Sequence, residues 1–227
     1  MKQSELKFYQ VALITVGLSI LWTGLSRFFN LFSVASYNTM FRSATTIFWH
    51  VLAPMALAYL AFFIVMTKLG RVEQVYQKQP DIQHRSTKVI FGLIVTAMLL
   101  FAAWNLYHHL LPILENWSGQ AGMRLGMAFL STFFVGLTEE SVFRGFALSE
   151  FRKRYSEQVS CLLSLLLFGL WHFPNVIAGA PFLQAFLQVF STMIIGAGLY
   201  MTVRLSKSIW GGVAMHCFWD FALVIAH

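Results

Sequence analysis

Seven stretches of mostly apolar residues, near 8–26, 45–67, 88–111, 123–148, 159–175, 182–203 and 209–226, take up most of a 227-residue chain. At 1.5 Å rise per residue, about 20 residues of helix cross the roughly 30 Å hydrocarbon core of a bilayer. In that medium the backbone must satisfy its own hydrogen bonds, which a helix does within one segment. The pattern predicts an all-α fold, a polytopic transmembrane helical bundle of about seven spans. Composition agrees: hydrophobic residues make up 58%, charged residues only 11%, and the mean hydropathy is +0.66, all far from a soluble domain.

A formal charge of +7 raises the question of nucleic acid. The basic residues lie in loops between apolar spans and no aromatic-basic motif accompanies them, so the partner they imply is the lipid bilayer and no nucleic acid. The longest polar stretch runs from Lys68 to Lys88 with Arg71, Lys78 and Arg85 against Glu73 and Asp81, and Pro80 disfavours a continuous helix through it. If that stretch is inside, the inner side also receives Lys2, Lys7, Arg152, Lys153, Arg154, Arg204 and Lys207. Only Arg27, Arg42 and Arg124 fall outside, which predicts an integral membrane protein with its N-terminus inside and an uncleaved signal anchor as its first span. Residues 28–42, with Phe28, Phe29, Phe32, Tyr37 and Phe41, read as an interfacial helix or a re-entrant piece.

Within the fourth stretch, Glu139 and Glu140 stand together and Arg144 follows one turn later. Each ionisable group at a helix centre costs roughly 2.5–3.5 kcal/mol, so three in one span need partners, water or a function. Later spans supply His172, His216 and Asp220. Counted from the inner loops, these groups lie about 12–20 Å deep, in one band that predicts an intramembrane polar cavity opening toward the cytoplasm. Glu140 and Arg144 are i,i+4 and can pair, as can His216 and Asp220. Glu139 points about 100° away from Glu140, so one arginine scarcely serves both.

Simpler readings apply to single features. A Glu140–Arg144 pair by itself reads as structural, and a lone intramembrane histidine as an interhelical hydrogen-bonding group. His50, His84, His108, His109 and His227 have no carboxylate at useful spacing. Gly122-x-x-x-Gly126 and Gly196-Ala197-Gly198 read as close helix contacts, and Cys161 and Cys217, inside apolar segments without metal-type spacing, as core residues.

Taken together, Glu139-Glu140-Ser-Val-Phe-Arg144, Phe168-Gly-Leu-Trp-His172 and His216-Cys-Phe-Trp-Asp220 resemble in order and spacing the CPBP family, the CAAX proteases and bacteriocin-processing enzymes of Abi type. The resemblance covers about residues 123–226. It implies a catalytic core over 123–227, with 1–122 as N-terminal helices and a basic loop packed into one membrane domain, in a bacterial cytoplasmic membrane.

The resemblance further implies hydrolysis of a peptide bond in a membrane-associated protein or peptide, prenylated in the eukaryotic branch. Glu139 would activate water near His172, Arg144 would hold Glu140, and His216 with residue 220 would stabilise the oxyanion. Asparagine is the expected donor at that last position in the prenyl-protein branch; Asp220 departs from it and is read as an acceptor orienting His216 from behind. Glu139, His172 and His216 could also form a two-histidine, one-carboxylate Zn2+ site, and the sequence leaves the zinc and metal-free mechanisms open. The alternatives are a non-catalytic immunity or scaffold protein and a proton-coupled transporter. No inverted repeat supports the latter.

Overall fold

In a computed structural model that describes residues 5–226, every regular element is helical. Lys2 and His227 lie outside the described residues. The helices are α1 (Phe8–Phe28), α2 (Ala44–Lys68), the short α3 (Val72–Tyr76), α4 (Arg85–Glu115), α5 (Gly119–Phe151), α6 (Glu157–Trp171), α7 (Phe182–Ser206) and α8 (Ile209–Val224). Six segments are long and apolar enough to cross a membrane, and α8 is a shorter apolar helix. The chain is a polytopic helical bundle.

Starts follow local chemistry. Ser43, Ser118, Ser156 and Ser208 cap α2, α5, α6 and α8, each hydroxyl accepting a first-turn backbone N–H. α4 is peripheral: of its 31 residues only Ala102 is buried, and its Leu, Ile and Phe side chains face outward, as lipid contact requires. The main apolar core joins residues from both halves of the chain, among them Val11, Phe62, Phe143, Leu199 and Met215.

Two regions differ from expectation. Residues 32–43 form neither an interfacial helix nor any other long helix; after a 3-10 turn at Phe29–Leu31 the chain runs through turns. His50 ties this loop down, its two ring nitrogens lying 3.0 Å from the Ser26 carbonyl oxygen and 2.5 Å from that of Ser33, so it is more than the ordinary span-end residue its sequence context suggested. The second is the basic stretch. It does break its helix before Pro80, but α3 tucks inward, and Val75 is fully buried.

Many basic side chains at this end are held within the protein. Arg71 (2.7 Å), Gln74 (2.6 Å) and Lys153 (2.6 Å) all donate to Oε1 of the buried Glu150, while Arg152 and Arg204 converge on Glu157. Lys207 hydrogen-bonds Asp81 at 2.6 Å and thereby holds that carboxyl below the usual carboxylate range. One end of the bundle is thus cross-linked by charge.

Candidate active site

The six chemically conspicuous residues come from three helices. In α5 the regular helix gives way after Glu140 to a π-helical stretch, Ser141–Ala147; such wide turns recur at functional sites because they re-aim side chains. Glu139 and Glu140, both buried, diverge as their 100° offset requires. Arg144 Nη1 donates to Glu140 Oε1 at 2.9 Å and Nη2 to the Gly196 carbonyl at 2.7 Å, and its guanidinium lies 4.4 Å from the Phe168 ring centroid. Glu140 is therefore the arginine's partner and Glu139 is not.

Glu139 is held differently. Its Oε1 accepts the Trp171 indole N–H at 2.9 Å, and its buried Oε2 has no hydrogen-bond partner among the described residues. Facing that oxygen are His172 Nε2 at 4.0 Å and His216 Nε2 at 3.7 Å. His172 Nδ1 lies 3.0 Å from the Phe168 carbonyl, which only accepts, so Nδ1 carries the proton and Nε2 presents its lone pair. At these separations a water about 2.8 Å from Glu139 Oε2 can also lie within hydrogen-bond reach of either imidazole nitrogen.

His216 contacts carboxylates on both sides. Nδ1 lies 3.1 Å from Glu140 Oε1, whereas Asp220 Oδ2 lies 3.4 Å from Nε2. The ring is thus oriented from behind by Glu140. Asp220 shares the cavity side with Glu139, contrary to the expectation that it would stand behind the histidine, because one helical turn along α8 carries it outward from the floor.

Close backbone approach makes this convergence work. Were Gly212 to carry a Cβ, it would lie 2.7 Å from Glu140 Oε2 and 2.4 Å from Val203 Cγ2. We expect Gly212→Ala to push α8 off α5, costing about 1–3 kcal/mol as overpacking does, and to lower turnover by misplacing His216; melting in detergent read beside cleavage rate checks this. Gly196 makes a similar close contact with Phe168 and Arg144, but nothing lies within 4 Å of a Cβ at Gly126, so the Gly122–Gly126 pair is no helix seam.

Glu139, His172, His216 and Asp220 line a cavity of about 690 Å³. One wall is apolar, with Trp22, Met40, Val51 and Met55; the other carries Asn175, Gln184, Gln188, Ser191 and Thr192. All the lining residues come from the half of the bundle that contains the 32–43 loop, the turn after His172 and the end of α8; none comes from 68–88, 149–157 or 204–208. The mouth therefore opens away from the basic loops, correcting the sequence expectation. Depth counted along a helix fixes how far a residue lies from one end, not which end its side chain can see.

Residues 121–222 match the family of Type II CAAX prenyl endopeptidases, Rce1-like. Over these residues the chain is similar to the CAAX intramembrane proteases. The matched residues contain every one of the six. No curated protein and no solved structure matches the chain.

A zinc-bound version of this site fits poorly. Tetrahedral zinc with bonds of about 2.0–2.2 Å holds its donors about 3.4 Å apart, against 3.7 and 4.0 Å from Glu139 to the two histidines. Among the described residues no group of three or more His, Cys, Asp or Glu side chains is arranged to hold a metal ion.

Proposed function

We propose that the protein is an intramembrane endopeptidase in which Glu139 activates the attacking water. The carrying observation is Glu139 Oε2: buried, without a hydrogen-bond partner among the described residues, and flanked by two imidazole nitrogens on the cavity floor. Glu139 takes a proton from water, with His172 Nε2 accepting a hydrogen bond that orients it. Hydroxide adds to the scissile carbonyl, and His216 Nε2 faces the resulting oxyanion. The carbon–nitrogen bond then breaks and Glu139 returns the proton to the leaving amine. Glu140 and Arg144 hold the histidine and the helix junction and touch no reacting atom.

The test is cleavage of a membrane-anchored peptide by the purified full chain in 18O-labelled water, with Glu139→Gln as control. One 18O in the new carboxylate, lost with Glu139→Gln, supports the reading; cleavage that survives Glu139→Gln overturns it. Zinc analysis of the same samples completes the test, since one stoichiometric zinc, lost with Glu139→Gln, would move the reading to a metalloprotease. Matched prenylated, unprenylated and leader-type peptides test whether the apolar wall demands a lipid chain.

The charge distribution supports one orientation. With the basic end inside, the N-terminus is cytoplasmic and the mouth faces the opposite leaflet. In a background lacking Cys161 and Cys217, a cysteine at Ile177 beside the mouth is expected to react with an impermeant thiol reagent in intact cells, and one at Ser156 only after lysis. The reverse pattern would place the mouth at the cytoplasm.

A further inference from the structure

The 32–43 loop lies outside the matched residues yet places Tyr37 on the cavity that Glu139, His216 and Asp220 also line. It is tethered at both ends of its path. Asn30 Oδ1 accepts the Ala35 N–H at 3.0 Å, Ser36 and Thr39 close a turn, and Gln184 Nε2 donates to Asn38 Oδ1 at 3.1 Å. Tyr37 is therefore placed by structure on its own side and by α7 on the other.

Its hydroxyl is surrounded by donors. Gln188 Nε2 donates to Tyr37 Oη at 2.7 Å and Asn175 Nδ2 at 3.3 Å. Asn175 Nδ2 also donates to Gln188 Oε1 at 3.0 Å, which fixes the glutamine with its NH2 toward the tyrosine. A phenol has one proton and two lone pairs; with both lone pairs taken by Gln188 and Asn175, the proton is left over to be donated into the cavity. Burial, the largest cause, pushes the Tyr37 hydroxyl up to about 12, and the charges of Asp220 and Glu139 add to the rise, so the proton stays on the oxygen at any working pH. Asp220, when ionised, is an acceptor only and competes for His216 Nε2 at 3.4 Å. A tetrahedral oxyanion formed here thus needs a donor that Asp220 cannot supply.

We propose that Tyr37 donates its hydroxyl proton as a hydrogen bond to the substrate's carbonyl oxygen, acting with His216 as the oxyanion-stabilising pair. The assignment rests on the endopeptidase reading above. It makes Tyr37 a catalytic residue contributed by the unmatched half of the chain, with Asn175 and Gln188 as positioning residues that fill its lone pairs.

The test compares Tyr37→Phe with wild type and Glu139→Gln, all as the purified full chain on one membrane-anchored peptide. Loss of one oxyanion donor is expected to lower kcat about 100-fold, with KM within twofold of wild type and melting unchanged because the ring is retained. Gln188→Ala, which frees a lone pair and lets the hydroxyl turn, is expected to give an intermediate kcat only while Tyr37 is present, so adding it to Tyr37→Phe should cost nothing more. Wild-type kcat in Tyr37→Phe beside an inactive Glu139→Gln overturns the assignment and leaves the endopeptidase standing. A raised KM at unchanged kcat overturns it too, reducing Tyr37 to a ground-state contact. Absence of any Glu139-dependent cleavage removes both readings together.

Discussion

Glu139→Gln is expected to reduce peptide hydrolysis by at least about a thousandfold, or about 4 kcal/mol of barrier, in a protein that still folds. The amide keeps the acceptor for the Trp171 indole, 2.9 Å away, so packing is preserved while the basic oxygen is lost. His172→Ala is expected to have an effect of similar size, because it removes the lone pair 4.0 Å from Glu139 Oε2 that orients the water. The combined Glu139→Gln/His172→Ala variant should be no slower than the worse single variant, since groups that act as a unit are not additive. Steady-state rates on one peptide decide this, and a multiplicative double variant would show the two groups acting on separate steps.

Arg144→Ala is expected to cost about 3–5 kcal/mol of stability, which for a chain of this size is a fall of roughly 10 °C in melting temperature. The guanidinium is 1% exposed and its partner carboxylate fully buried, so removing it strands Glu140 at membrane depth and frees the Gly196 carbonyl. Glu140→Gln/Arg144→Met, which removes both charges, should recover part of that loss. Glu139→Gln should melt with wild type, since no cation depends on Glu139. Thermal melting in one detergent separates these cases; equal melting of wild type and Arg144→Ala would show the pair contributing nothing.

The two predictions trace what could be read from the sequence. Residues four apart on a helix share a face and adjacent ones do not, so the Glu140–Arg144 pair and the separate surroundings of Glu139 were legible from spacing alone. The convergence of α5, α6 and α8 was legible because isolated charges in lipid are costly enough to need company. Trp171 was in plain view within Phe168-Gly-Leu-Trp-His172 but carried no signal that its indole would bind a carboxylate. Tyr37, Asn175 and Gln188 were not legible as a group, because they join a loop, a turn and a helix that lie far apart in sequence. Nor was the buried Arg71–Glu150 contact (2.7 Å), since a basic loop normally remains in water. The mouth was misplaced for a further reason: which side of a floor is open depends on side-chain bulk around it, and no count along a single helix contains that.

The polar wall of the cavity has a consequence for supply. On the proposed mechanism hydrolysis consumes a water at every turnover, and that molecule has to reach Glu139 through a region where hydrocarbon would exclude it. Gln184, Gln188, Ser191 and Thr192 fall at i, i+4, i+7 and i+8 along α7 and all face the cavity. Ser191 and Thr192 spend their protons on the Gln188 carbonyl, at 3.1 and 2.7 Å, and keep oxygen lone pairs for passing solvent. The row is uncharged throughout, so it wets the passage without a formal charge that would hold a water or ion in place. One helix face thereby offers a conduit for the second reactant, and in the proposed mechanism replenishment of water is as much a property of α7 as its attack is of α5.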